Sequence, residues 1–185
     1  MTPFEAAAPT ITQFTRPADL TGPRRRELAA CWAAVVNVGG AVVPPDCPPP
    51  PVEPAGLGAA VDRIAESLGP ARSRLLTATL DGALAGWLVL RREEHPLEAH
   101  CGVVNHVQTQ VHLRGRGIGA ALMCRVHRVA REEMGLERLK LTARAGLGLE
   151  QFYRKAGWTE VGRWPGALRL APGDDRDEIL MSLAL

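Results

Sequence analysis

Apolar and polar residues alternate along Ile11-Thr-Gln-Phe-Thr-Arg16, the period-two pattern of a strand, and Pro17 ends it. Thr21-Gly22-Pro23 reads as a helix start with Thr21 as the cap. Ala, Leu and Val from Leu28 to Val38 then supply a buried face, stopped by Gly39-Gly40. A second helix is predicted over Ala55–Leu68, where Leu57, Val61, Ile64 and Leu68 recur at helical spacing before Gly69-Pro70. Ser73–Leu80 and Ala83–Arg91 read as strands joined by Asp81-Gly82, the preferred two-residue hairpin turn. A further strand runs from Cys101 to Gln110, and a helix over 117–134 places Ile118, Leu122, Val126 and Val129 on one face. Arg138–Ala143 is another strand. Leu149–Ala156 is a short helix with Leu149, Phe152 and Ala156 inward, stopped by Gly157. Trp158–Arg163 and Ile179–Leu183 close the pattern as strands around a loop from Pro165 to Asp177.

The order β-α-α-β-β-β-α-β-α-β-β combines a hairpin meander with a βαβ crossover. It predicts an α/β fold with a mixed sheet and helices on both faces. At 185 residues the chain is read as a single domain, 1–185, with one unusual connector between its first two helices. That connector, residues 44–54, holds seven prolines in eleven positions, so it is stiff and extended. Two readings stand: a spacer, or a shaped wall over a substrate pocket.

Composition narrows the function. The net charge of +2 is too small for a nucleic-acid or membrane-surface partner, and 46% hydrophobic content excludes a wholly disordered chain. All the basic residues except Lys140 and Lys155 are arginine, which with the many alanines fits a GC-rich coding sequence rather than a binding signal. Cys31, Cys47, Cys101 and Cys124 form no C-x-x-C pair and no zinc spacing, so no metal is expected and the thiols are read as free and mostly buried. Met1–Thr10 has neither a basic nor an apolar leader region, and no apolar run reaches the roughly 20 residues of a span. A cytoplasmic protein is expected.

The chemistry concentrates in Val107-Gln-Thr-Gln-Val-His-Leu-Arg-Gly-Arg-Gly-Ile-Gly-Ala120, where a strand meets a helix through alternating glycines between arginines. Glycines let backbone N–H groups at a helix N-terminus close around a phosphate, and the helix dipole favours the negative charge. Arg114 and Arg116 add charge at the rim. Gly115-x-Gly117-x-x-Ala120 also fits the dinucleotide fingerprint, but the next strand ends in Ala143-Arg144-Ala145 with no acid for a ribose. A P-loop fails because no Gly-Lys-Ser/Thr follows.

Arg114-x-x-Gly117-x-Gly119-Ala120 at the end of the fourth strand resembles the pyrophosphate-binding motif of the GNAT superfamily of N-acetyltransferases. Leu149-x-x-Phe152-Tyr153-x-x-Ala156-Gly157-Trp158 is similar to the family's next motif, and the element order agrees over nearly the whole chain. Within the family the chain is similar to small bacterial members of the tabtoxin-resistance type. The resemblance implies a mostly antiparallel sheet of six to seven strands with about four helices on both faces. It also implies acetyl-CoA, or another acyl-CoA, as co-substrate. Backbone groups of Thr109 and Val111, where the fourth strand splays from the fifth, would pair with the pantetheine arm. Arg114 and the N–H groups across Arg116, Gly117, Ile118, Gly119 and Ala120 would hold the pyrophosphate. Tyr153 would protonate the leaving thiolate.

Tyr153 also stands out without the family, as the only tyrosine, beside Phe152 on a core-facing helix where its hydroxyl needs a partner. A phenol of pKa about 10 can protonate a thiolate whose conjugate acid lies near 8.5. The attacking amine must lose a proton, because an alkylammonium of pKa about 10.4 is almost wholly protonated at pH 7. Many family members place a fourth-strand Glu for this, but Val103 occupies that position here. His106 is the candidate base, with His100 and Glu98 close in sequence, and a water chain is the alternative. The acceptor walls expected are the 44–54 loop with Val42-Val43, Trp87, and the Trp164-to-Asp177 loop, whose Asp174, Asp175 and Asp177 either attract a cationic amine or are simply solvated.

The reading is an acyl-CoA-dependent N-acyltransferase acting by direct attack of a small-molecule amine. A transferase that takes its acyl group from a carrier protein's phosphopantetheine, and a pantetheine-binding module without catalysis, remain open alternatives. So does a homodimer built through the C-terminal strands.

Overall fold

In the computed structural model, which describes residues 8–185, strand β1 (Thr10–Phe14) leads through a short 3-10 turn to helix α1 (Gly22–Asn37). Met1–Ala7, part of the N-terminal stretch read above for a leader, lie outside the described residues. Thr21 caps α1 as expected, its Oγ1 accepting from Arg24 N–H at 3.4 Å. The helix ends in a Schellman motif: Gly39 (φ +72°) donates to Val36 O and Gly40 to Val35 O, both at 2.8 Å. Helix α2 is shorter than predicted, Gly58–Glu66, because Pro54–Leu57 forms a 3-10 turn in front of it. Strands β2 (Ser73–Leu80) and β3 (Ala83–Arg92) follow, joined by Asp81 and Gly82 with both φ positive, at +50° and +79°.

Next come β4 (Cys101–Thr109), helix α3 (Ile118–Arg128) continued by a π-helical stretch at Val129–Glu133, β5 (Arg138–Arg144) and helix α4 (Leu149–Lys155). β6 (Thr159–Ala171) and β7 (Asp174–Ala184) complete one seven-stranded sheet in the order β1-β2-β3-β4-β5-β7-β6. β4 pairs with β5 in parallel, while β5 with β7 and β6 with β7 are antiparallel, which is the mixed, mostly antiparallel α/β fold expected. No described helix is long and apolar enough to cross a membrane.

The expected loop from Pro165 to Asp177 is instead the tip of a long β6–β7 hairpin. Its turn is Pro172-Gly173, closed by the pair Ala171–Asp174, with Gly173 at φ +81°. Pro165 fits because the register shifts between Trp164 and Leu168, so no ladder bond needs its missing N–H.

The described residues form two compact units, 8–89 with 106–125, and 90–105 with 126–185. In the first, α1 buries Leu28, Cys31, Trp32, Val35 and Val36 in one cluster with Val61, Leu75 and Trp87. The proline-rich loop belongs to this core. Val52 is buried, its N–H donates to Asn37 Oδ1 at 2.8 Å, and its carbonyl accepts from Asn37 Nδ2 at 3.0 Å. Consecutive β3 residues face opposite ways, Trp87 toward Trp32 of α1 and Gly86 toward Ile118 and Leu122 of α3. In the second unit, Leu139, Leu141, Ile179 and Met181 alternate inward along β5 and β7. On α4 the buried residue is Tyr153, not the Leu149–Phe152–Ala156 stripe that spacing suggested.

Gly86 supports a stability test. An added Cβ would stand 2.6 Å from Gln108 O, 2.9 Å from Ile118 Cγ2 and 3.3 Å from Leu122 Cδ1. Gly86→Ala is therefore expected to cost on the order of 1–3 kcal/mol, the usual range for overpacking. The urea midpoint should fall with an unchanged m-value; a variant as stable as wild type would show that β4 and α3 yield freely here.

Candidate active site

The predicted cofactor loop is a distinct turn. Val111–Leu113 is a 3-10 turn, Arg114 is extended, and Gly115 and Gly117 both have φ +78° before α3 begins at Ile118. The positive φ excludes most side chains, and an added Cβ at either glycine would meet no atom within 4 Å. The space beside both glycines is thus open, room that a phosphate could take up. Gly117 O accepts the first helical bond, from Ala121 at 2.9 Å, so the N–H groups of Ile118, Gly119 and Ala120 have no partner within the helix. Buried Ile118 pins the turn to the core. These residues suit a pyrophosphate.

Thr109 ends β4, whose pairing with β5 runs only through Cys101, Gly102 and Val103 against Arg138, Leu139 and Lys140. Beyond Val103 the strand has no further partner on β5. Gln110 N–H turns back to Ala85 O at 2.9 Å, and Val111 O accepts from Arg114 N–H at 3.4 Å. Arg114 Nη2 lies 2.5 Å from where a Gly40 Cβ would stand, at the C-terminal end of α1, where the helix dipole attracts a cation. Arg116 is exposed on the loop.

His106 lies in the same unit as this loop, held in the left-handed region at φ +54°. Its ring stacks on Trp87 (centroids 5.1 Å, interplanar 16°) and meets Trp32 edge-on at 4.6 Å. Trp87, expected in an acceptor wall, is fully buried. Beside this cluster burial pushes the Cys31 thiol up to about 12, against the opposing influence of Trp87 and the Arg114 charge, so it stays a thiol at neutral pH. All four cysteines are free, but only Cys31 is buried and Cys124 is exposed, contrary to the expectation of mostly buried thiols. Among the described residues no three His, Cys, Asp or Glu cluster as metal ligands.

Tyr153 belongs to the other unit, 5% exposed, with Phe152 at 5.0 Å and Trp158 at 6.1 Å between ring centroids. Burial pushes its phenol up to about 12. Trp158 Nε1 in turn donates to His127 Nε2 at 3.2 Å, and burial lowers the His127 pKa, so a neutral ring accepts that bond. Sequence spacing carried no sign of this pair. Of the other candidates near β4, Glu98 is ion-paired with Lys140 at 3.1 Å, and Lys140 also holds Glu93 at 2.6 Å. The hairpin acids are paired as well: Asp174 with Arg176 (2.5 Å), Asp175 with Arg169 (2.6 Å) and Asp177 with Arg163 (3.2 Å). They do not form an open acidic lure for an amine.

The sheet order, the glycine turn and the parting of β4 from β5 define an acetyltransferase architecture. Residues 45–158 match the acetyltransferase (GNAT) family, and the chain belongs to it. Solved structures agree in fold. A protein assigned as a phosphinothricin N-acetyltransferase superposes with a TM-score of 0.72 at 17% identity, covering 95% of this chain and 99% of its own. The ribosomal-protein-alanine N-acetyltransferase of Brucella melitensis gives 0.70 at 21%, covering 95% and 99%. The Salmonella typhimurium protein yncA, an acetyltransferase by assignment solved with its cofactor acetyl-CoA, gives 0.72 at 16%, covering 97% and 95%. No curated protein matches by sequence.

Proposed function

We propose that the chain is an acyl-CoA-dependent N-acyltransferase, most simply an acetyltransferase, that acts on the amine of a small molecule by direct attack. The observation that carries the reading is the Gly115–Ala120 turn, with two positive-φ glycines, open space beside them and first-turn N–H groups that have no partner within the helix. An acyl-CoA supplies the thioester. Backbone groups of Thr109 and Val111 would align its pantetheine arm, Gly117–Ala120 its pyrophosphate, with Arg116 adding rim charge. Tyr153 would hold a proton toward the departing sulfur. The same burial that raises this phenol would also raise a thiolate leaving beside it, as Cys31 shows for a buried thiol in this protein. The two partners then stay close in acidity. A thiol-release assay with acetyl-CoA and an amine panel tests the reading. Release that needs both substrates is expected. Binding of CoA without release from any amine would leave a binding module, and release only from acylated carrier protein would favour that donor.

His106 is proposed as the base. A non-glycine residue at positive φ inside a strand, clamped by two indoles, is a held conformation rather than a relaxed one. The expected kcat/KM rises with pH as the base loses its proton, and His106→Ala removes that inflection. With a water relay the rate would instead climb toward the amine's own pKa. An unaltered profile in His106→Ala would overturn this assignment and leave the acyltransferase reading intact.

A further inference from the structure

Arg144, the last residue of β5, is 8% exposed, yet its Nε has no hydrogen-bond partner among the described residues. A buried guanidinium is costly unless an anion and hydrogen bonds compensate its lost hydration. Its surroundings do the reverse. After burial itself, repulsion from Arg176 weakens the Arg144 charge most, and Asp174 offsets this only in part. Asp174 is already committed, its Oδ1 accepting from Arg176 Nε at 2.5 Å. Glu178 is the cross-strand partner of Arg144, but the charges acting on Arg144 are those of Arg176 and Asp174. The loop after β5 is cleared for these groups: a Cβ on Gly146, at φ +89°, would lie 2.5 Å from Arg176 Nη1. That loop ends at Gly148, which opens α4, the helix that carries Tyr153.

We infer that Arg144 and Arg176 form a subsite for an oxyanion borne by the acceptor, so that the acceptor class is an amine carrying a carboxylate or a phosphate. The inference rests on the acyltransferase reading above. Two guanidiniums sharing one carboxylate have a positive charge to spare, and a planar N–H donor array matches an oxyanion in geometry as well as charge. Holding the anionic end orients the amine while leaving its lone pair out of the ion pair.

The test compares L-α-amino acids with their carboxamides, and phosphoethanolamine with ethanolamine, in the thiol-release assay with acetyl-CoA. Wild type is expected to favour one of the anionic members by at least about tenfold in kcat/KM, the scale of one hydrogen bond to a charged group. The pair that discriminates tells carboxylate from phosphate. In Arg144→Gln the ratio should fall toward one. Arg144→Lys should recover part of the preference, and Arg176→Ala, at a half-exposed position, should lower it without threatening the fold. Equal rates on acids and amides in wild type, or a preference that survives Arg144→Gln, would overturn the subsite. Calorimetric binding of the same anionic compounds separates this from failure of the transferase reading. If no amine is acylated, binding to wild type and not to Arg144→Gln supports the subsite, and equal binding or none to either overturns it.

Discussion

Tyr153→Phe should lower kcat by about 10²–10⁴-fold with CoA affinity nearly unchanged, the signature of a lost general acid rather than of lost binding. The ring contacts with Phe152 and Trp158 persist in the variant, and the change removes only the hydroxyl. A fall of less than about threefold would return Tyr153 to the role of a core aromatic, since general-acid loss is larger than that. Its pKa carries a second expectation. Burial holds the folded-state phenol at about 12, above its ordinary value of 10. The folded chain therefore binds this proton more tightly than the unfolded chain does. The corresponding stability is fully present below about pH 10 and is lost as pH rises toward 12. Thermal unfolding of Tyr153→Phe should be less sensitive to pH in that window, with the buried Cys31 thiol still contributing there.

Gly117→Asp should abolish acetyl-CoA binding. In wild type, CoA at 100 times its Kd should stabilise the fold by roughly 2.7 kcal/mol, and the variant should show no shift. The substituted side chain meets no protein atom at its Cβ, so loss of binding would not reflect a clash with the protein. It would reflect a carboxylate placed where the phosphate charge belongs, on a backbone at φ +78°. Gly117→Ala separates the two causes, because it keeps the conformational penalty of about 1–2 kcal/mol without the charge. Calorimetry in which Gly117→Asp binds CoA as well as wild type would remove the loop from the site.

Much of this was legible in the residue pattern because it depends on local physics. Thr21 as a cap, Asp81-Gly82 as a hairpin turn and the Ile118–Leu122–Val126 face of α3 all follow from backbone preference and period. The glycine turn belongs to the same class, since a positive φ at a strand–helix junction selects glycine directly. The β6–β7 hairpin was hidden because most of β6 is exposed at the sheet edge, where nothing forces apolar alternation, and because a register shift accommodates Pro165. The choice of Tyr153 over Phe152 as the buried face of α4 likewise depends on where Trp158 packs.

What the chain determined by itself was therefore most of the elements, their order and the glycine turn before α3, each governed by residues a few positions apart. Tertiary structure decided the rest. It put His106 between Trp32 and Trp87, sequence positions far apart, and turned Arg114 toward the end of α1. It also paired Asp175 and Asp177 with arginines across the hairpin and Asp174 with Arg176 of its own strand, while burying Arg144 with an unsatisfied Nε. Burial and partner charges set what a titratable side chain can do, and both depend on long-range packing that no local pattern encodes.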